Sequence, residues 1–156
     1  MDEKKLLKYA VDYLSKYDSS KVNLVNVLKR KILRLKTTNY EKGKLINIIE
    51  SIIIKLEKNK FIDDNRYSST KILSLSNSGK SKNFIFNYLI KKGVNKSQIQ
   101  NNLNLAQQDN ENWELNSAKI FAKKKKMLEK NQSYEKNLAK MARAGFSYDI
   151  CKKILG

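Results

Sequence analysis

The chain has no histidine, no proline and a single cysteine among its 156 residues. Without histidine there is no imidazole base, no histidine-dependent nucleophile triad and little basis for a zinc site. Cys151 alone cannot form an intrachain disulfide or a thiolate metal cage, and a lone thiol points to a reducing, cytoplasmic setting. No cofactor or metal is expected. Five glycines and no proline favour long uninterrupted helices over a turn-rich β-sandwich. Long apolar runs are missing too. The most apolar stretch, residues 46–56, is interrupted by Asn47, Glu50, Ser51 and Lys55, which makes it too short and too polar to cross a bilayer. The opening MDEKKLLKYAVDYL is charged and amphipathic, unlike a signal peptide.

Acidic residues are also scarce. Thirty-three Lys+Arg face 15 Asp+Glu, a formal charge of +18, which suits a polyanionic partner, either nucleic acid or an acidic protein surface. Arginine occurs only as Arg30, Arg34, Arg66 and Arg143. An AT-rich genome would produce lysine in place of arginine, but it would not produce the shortage of acids.

What is present reads as helices. Residues 2–17 carry Leu6, Ala10, Tyr13, Leu14 and Tyr17 on one face, and Asp18-Ser19-Ser20 caps a second helix with Leu24, Val25, Leu28 and Ile32. Residues 35–43 read as a loop. Leu45, Ile49, Ile52, Ile53 and Leu56 mark a third helix, although their β-branched run leaves a strand as the alternative. In the centre, Asp63 is a natural N-cap, with Ile62 and Tyr67 spaced as a hydrophobic staple. Tyr67, Ile72 and Leu75 continue that helix, and Asn77-Ser78-Gly79 breaks it. Ser81 starts the next helix, whose face is Phe84, Ile85, Tyr88 and Leu89; Lys91, Lys92 and then Gly93 stop it, and Val94 folds back. Asn95 or Ser97 caps a helix with Ile99 and Leu103. Residues 113–129 form a helix with Leu115, Ala118, Phe121, Ala122 and Met127. Ser133 caps another, and Gly145-Phe146-Ser147 leads into the last.

Aligning the chain on Ser20, Ser81 and Ser133 exposes a repeat. Six residues earlier stand Leu14, Leu75 and Met127; eight later stand Leu28, Leu89 and Met141. Gly93 and Gly145 both follow twelve residues after their serine, and Leu103 and Leu155 twenty-two after. The expected fold is therefore all-α: three tandem three-helix repeats in an extended, curved array. The repeats cover residues 1–58, with an insertion at about 35–43, then 59–109 and 110–156.

The string Phe61-Ile62-Asp63-Asp64-Asn65-Arg66-Tyr67, followed by Gly79-Lys80 and Leu89-Ile90-Lys91-Lys92-Gly93-Val94, resembles the central repeat of the RecX family, the bacterial regulators of the RecA recombinase. Gly145-Phe146-Ser147-Tyr148-Asp149 resembles the last repeat of that family. The resemblance implies a monomer that binds the helical groove of RecA on single-stranded DNA. It also implies restrained filament growth, ATP hydrolysis and strand exchange, with no membrane partner.

Several constellations have a chemical reading beside a structural one. Asp63-Asp64 could serve acid–base or Mg²⁺ chemistry only with further carboxylates, and capping is the simpler reading. Gly79-Lys80-Ser81 ends like a phosphate-binding loop, but Ser74 stands where that motif needs glycine, and a helix precedes it. Lys80 and Lys82 at this helix start could still hold a phosphate or a carboxylate. Lys29, Arg30, Lys31 and Arg34, then Lys91 and Lys92, then Lys140 and Arg143 end the three second helices. Either they complement helix dipoles or they form a basic strip. Lys123, Lys124, Lys125 and Lys126 form a solvated helical face or a ridge that meets a polyanion. The candidate contacts are Arg66 from the signature string with Lys80, Lys82, Lys91, Lys92, Lys123, Lys124, Lys125, Lys126, Lys140 and Arg143. Trp113 reads as core packing or a hinge contact before base stacking. The leading function is a non-enzymatic RecA modulator. The alternative is a stand-alone DNA-binding protein of helix-turn-helix type, disfavoured by the scarcity of arginine for base readout.

Overall fold

The computed structural model describes residues 1–130 and 132–156. The described residues form ten α-helices and no strand. In chain order these are α1 (Glu3–Lys16), α2 (Lys21–Leu33), α3 (Asn39–Asn47), α4 (Ile49–Lys58), α5 (Asp64–Asn77), α6 (Lys82–Lys91), α7 (Lys96–Asp109), α8 (Trp113–Lys124), α9 (Tyr134–Arg143) and α10 (Tyr148–Leu155). The chain packs as two compact units. One comprises Met1–Tyr67 with Lys92–Val94, the other Ser68–Lys91 with Asn95–Gly156.

In the first unit, Leu6 and Ala10 of α1 meet Leu24, Leu28 and Ile32 of α2, Leu45 of α3, Ile49, Ile52, Ile53 and Leu56 of α4, and Ile62. Each such aliphatic side chain contributes about 1.5–3 kcal/mol on burial. The stripe Leu45, Ile49, Ile52, Ile53, Leu56 is buried as its helical spacing requires. Two expectations are corrected here. Residues 39–43 are helix, not loop. Thr38 Oγ1 accepts the Glu41 N–H at 3.2 Å, and Thr38 with Glu41 has the spacing of a capping box. The stripe also lies on two helices, because Ile48 (φ −94°, ψ −5°) ends α3 and starts α4.

In the second unit, Ala118 and Ala122 of α8 pack with Met127, Met141 of α9, Phe146 and Cys151 of α10. The Phe121 and Phe146 rings meet at 5.5 Å. Cys151 is wholly buried, and that burial pushes its thiol above the ordinary range, away from reactivity. The first turns are capped by side chains: Asp2, Asp63, Asn95, Ser133 and Ser147 each accept a backbone N–H.

Two serine caps make a second bond. Ser20 Oγ accepts the Asn23 N–H at 3.1 Å and donates to the Lys92 carbonyl at 2.5 Å. In the other unit, Ser81 Oγ accepts the Phe84 N–H at 3.0 Å and donates to the Ala144 carbonyl at 2.7 Å. The next residue repeats the pattern. The Lys21 N–H donates to Asp64 Oδ1 and the Lys82 N–H to Glu114 Oε2, both at 2.8 Å. Both receiving carbonyls precede a glycine with positive φ, Gly93 (+81°) and Gly145 (+97°). A Cβ on Gly93 would lie 2.5 Å from Val22 Cβ, and one on Gly145 would lie 2.5 Å from Ser81 Oγ. Glycine is needed there for the backbone angle and again for the close approach.

The half-buried Asp64 carboxyl is lifted above the ordinary carboxylate range by desolvation. The Lys21 N–H bond and the Lys21 charge oppose that shift, while Glu57 and Asp63 reinforce it. Lys21 in turn is raised, chiefly by its bond to Glu57 at 2.8 Å.

Two predictions follow from these contacts. Gly145→Ala should lower stability by about 2–4 kcal/mol through left-handed strain and overlap. Gly43→Ala, in open space within α3, should raise it by about 1 kcal/mol. Urea unfolding of both variants would show opposite signs, and equal signs would contradict the role given to Gly145. The second concerns pH. A carboxyl with a raised folded pKa takes up protons on folding, so its contribution to stability grows as pH falls and is lost as pH rises through the folded value. Wild type should therefore gain stability relative to Asp64→Asn as the pH drops from neutral into the carboxylate range. A pH-independent difference in urea midpoints would contradict this.

Candidate functional site

In the second unit, the exposed side of α6 and the turn from α9 into α10 enclose a shallow groove of about 270 Å³. Asn83, Phe84, Asn87, Tyr88 and Lys91 of α6 face Arg143, Ala144 and Gly145 across it. The Phe84 and Tyr88 rings lie 6.4 Å apart and are inclined by only 21°. Lys80 Nζ sits 4.6 Å from the Phe84 centroid, within cation–π range. None of the residues lining this groove is acidic. Lys80, Lys91 and Arg143 are thus three of the expected contacts that the fold brings to one place.

The other expected contacts are distributed as follows. Arg66 and Lys92 belong to the first unit. The Arg66 guanidinium donates to the Lys60 carbonyl at 3.4 Å, and the Lys92 carbonyl receives Ser20. Lys82 is exposed and edges an adjoining recess of about 560 Å³, which shares Asn83 and Gly145 with the groove and is also lined by Gln100, Glu114 and Ser147. Lys140 is exposed on α9 but does not line the aromatic groove.

The four-lysine run departs from expectation. The helix was expected to continue through residue 129, but α8 ends at Lys124. Lys126 takes φ +56°, and the Met127 N–H donates back to the Ala122 carbonyl at 2.9 Å. This left-handed turn drops Met127 into the core at 4% exposure, and that burial offsets the strain. All four ammonium-bearing residues remain exposed, and Lys124 Nζ donates to the Ser78 carbonyl at 3.0 Å.

The signature residues have structural positions. Asp63 Oδ1 accepts the Asn65 and Arg66 N–H groups at 2.9 and 3.2 Å, and Ile62 and Tyr67 are buried beside it. Asp64 points instead to Lys21, so the two carboxylates do not form a pair. Gly79 (φ +90°) closes α5, with the Lys80 N–H donating to the Leu75 carbonyl at 3.0 Å. Trp113 is 7% exposed, in the packed interior, and lines a recess with Leu73, Leu105 and the acidic Asp109. Among the described residues no group of three His, Cys, Asp or Glu could hold a metal ion, and no helix is long and apolar enough to cross a membrane.

Phe84 was expected on the core face, yet it is 39% exposed. The repeat held the missing signal. Three residues after the other two aligned serines stand Asn23 and Lys136, both polar, so this position does not demand an apolar side chain. Ile85 and Leu89 are the residues buried from α6.

No family model matches the chain. Over 154 residues it is 32% identical to the protein named Regulatory protein RecX of Myxococcus xanthus (strain DK1622), a match that spans 94% of this chain and 81% of that protein. Two solved structures share its fold. The crystal structure of RecX from Lactobacillus salivarius has a TM-score of 0.70 at 21% identity, covering 97% of this chain and 93% of that one. A crystal structure of regulatory protein RecX also has a TM-score of 0.70, at 23% identity, covering 96% and 70%.

The turn at Lys126 can be separated from its charge. Lys126→Gly should stabilise the protein by about 1 kcal/mol by relieving the left-handed strain, read as a higher urea midpoint at unchanged slope. A lower midpoint would mean that the lysine itself holds the turn.

Proposed function

Because the chain belongs to the RecX family, we propose that it is a negative modulator of RecA. In this reading the protein binds the RecA–single-stranded DNA filament as a monomer, in the helical groove of the filament. There it restrains filament growth, ATP hydrolysis and strand exchange, and so regulates recombination and repair. It acts by occupancy, and no catalytic step is assigned to it.

The observation that carries the reading beyond kinship is the unneutralised cationic surface. The net charge is +18, and Lys82, Lys91, Lys123, Lys125, Lys140 and Arg143 have no ion pair among the described residues. A filament groove offers both DNA phosphates and protein carboxylates, and a basic ligand gains affinity there by releasing counterions. Charge complementarity of this kind raises the association rate and makes binding fall steeply with salt.

Purified protein should slow RecA ATP hydrolysis on single-stranded DNA at substoichiometric amounts, more strongly at low salt. Reversing charge at Lys91 and Arg143 together should raise the half-inhibitory concentration about tenfold with unchanged helicity by circular dichroism. No inhibition up to equimolar protein would remove the reading. Tight binding to duplex without RecA would favour a stand-alone DNA-binding protein instead.

A further inference from the structure

We propose that the groove between α6 and the α9–α10 turn is a stacking site for single-stranded nucleic acid. Phe84 and Tyr88 take bases, and Lys80, Lys91 and Arg143 take phosphates. The proposal deepens the RecA reading and rests on it only for the source of the strand.

The aromatic residues are the first support. Ile85 and Leu89 are wholly buried and supply the contribution of α6 to the core. Phe84 remains 39% exposed at a register position that is polar after the other two aligned serines, Asn23 and Lys136. A large exposed aromatic at such a position adds little to folding. The spacing of Phe84 and Tyr88, four residues apart, puts the rings one helical turn from each other, nearly parallel at 21°. They form two successive platforms along one groove. Stacking on such platforms accepts any base, because every base has a π-face.

Charge supplies the rest. The groove carries Lys91 and Arg143 with no carboxylate in its lining, and Lys80 reaches over its rim. The Lys80 ammonium rests on the Phe84 ring in the free protein, and an arriving base would release it to the phosphate alongside. Asn83 and Asn87 add amide groups that can meet a base edge in either orientation. A duplex would satisfy the cations but not the rings, since its bases already stack on one another. An acidic peptide would likewise leave the rings without a partner. Only an unpaired strand uses both features.

The test is fluorescence anisotropy with a fluorescein-labelled oligothymidylate of about 20 nucleotides, in the absence of RecA, beside a duplex of equal length. Phe84→Ala and Tyr88→Ala should each weaken binding to the single strand about tenfold, with little change on duplex. Phe84→Leu keeps apolar bulk and should lose as much as Phe84→Ala. Phe84→Trp should stay within about twofold of wild type. Arg143→Gln should lower the slope of log affinity against log salt, whereas Phe84→Ala should not. The proposal is overturned if Phe84→Leu binds like wild type, if single strand and duplex lose equally, or if wild type does not bind the oligonucleotide at all. It is also overturned if an oligo-glutamate peptide binds with the same dependence on Phe84, which would mark a protein partner. ATPase inhibition by the same wild-type preparation decides the RecA reading separately.

Discussion

A buried serine hydroxyl, held between a helix start and a carbonyl that precedes a glycine, is the constraint on which the rest of the structure depends. Ser20 and Ser81 are wholly buried, and each hydroxyl is satisfied as donor and as acceptor. A hydroxyl so enclosed would cost about 1–3 kcal/mol if either partner were lost. The arrangement therefore fixes the distance between α2 and the turn at Gly93, and between α6 and the turn at Gly145. The carboxylate on the following N–H completes it, at Lys21 in one unit and Lys82 in the other. Ser133 is the contrast. It is exposed and makes only its cap bond to Lys136 among the described residues.

The scarce carboxylates are placed where they stabilise helix starts. Asp2, Asp63, Asp64 and Glu114 all accept backbone N–H groups at helix starts. There they meet the positive ends of helix dipoles, and lysine side chains are left unpaired. The eleven acids that remain of the 15 face 33 Lys+Arg. The excess of lysine leaves a field suited to a polyanion. In the second unit, the glycine turn at Gly145 also forms a wall of the groove that Lys91 and Arg143 share. The fold thus positions cations as a consequence of how it links its helices.

The all-helical architecture could be read from apolar spacing and the missing proline, because burial of one helical face dominates the energetics. The capping serines and the stopping glycines were equally readable, since each answers a local demand of the backbone. The errors share a physical cause. At residues 39–43 the glycine and polar residues suggested a loop, but the cap at Thr38 outweighed them. At the lysine run, helix propensity predicted continuation, but burying Met127 required a left-handed turn at Lys126. The double role of Ser20 and Ser81 could not be seen, because their partners lie 72 and 63 residues away. Lys80, Lys91 and Arg143 were visible as charges, whereas their meeting around Phe84 depends on tertiary packing. That the register of Phe84 does not demand an apolar side chain was in the repeat, but the width of the apolar stripe on α6 concealed it.

Hydrogen exchange tests the central claim most directly. Amides in the first turn of a helix usually lack partners and exchange freely. The Lys21 and Lys82 amides should instead be protected nearly as well as the helix interiors, because a carboxylate holds each one. The Tyr134 amide, at the same position of α9, should exchange fast. Equal, rapid exchange at all three would mean that the serine-and-carboxylate junction does not hold the helices together.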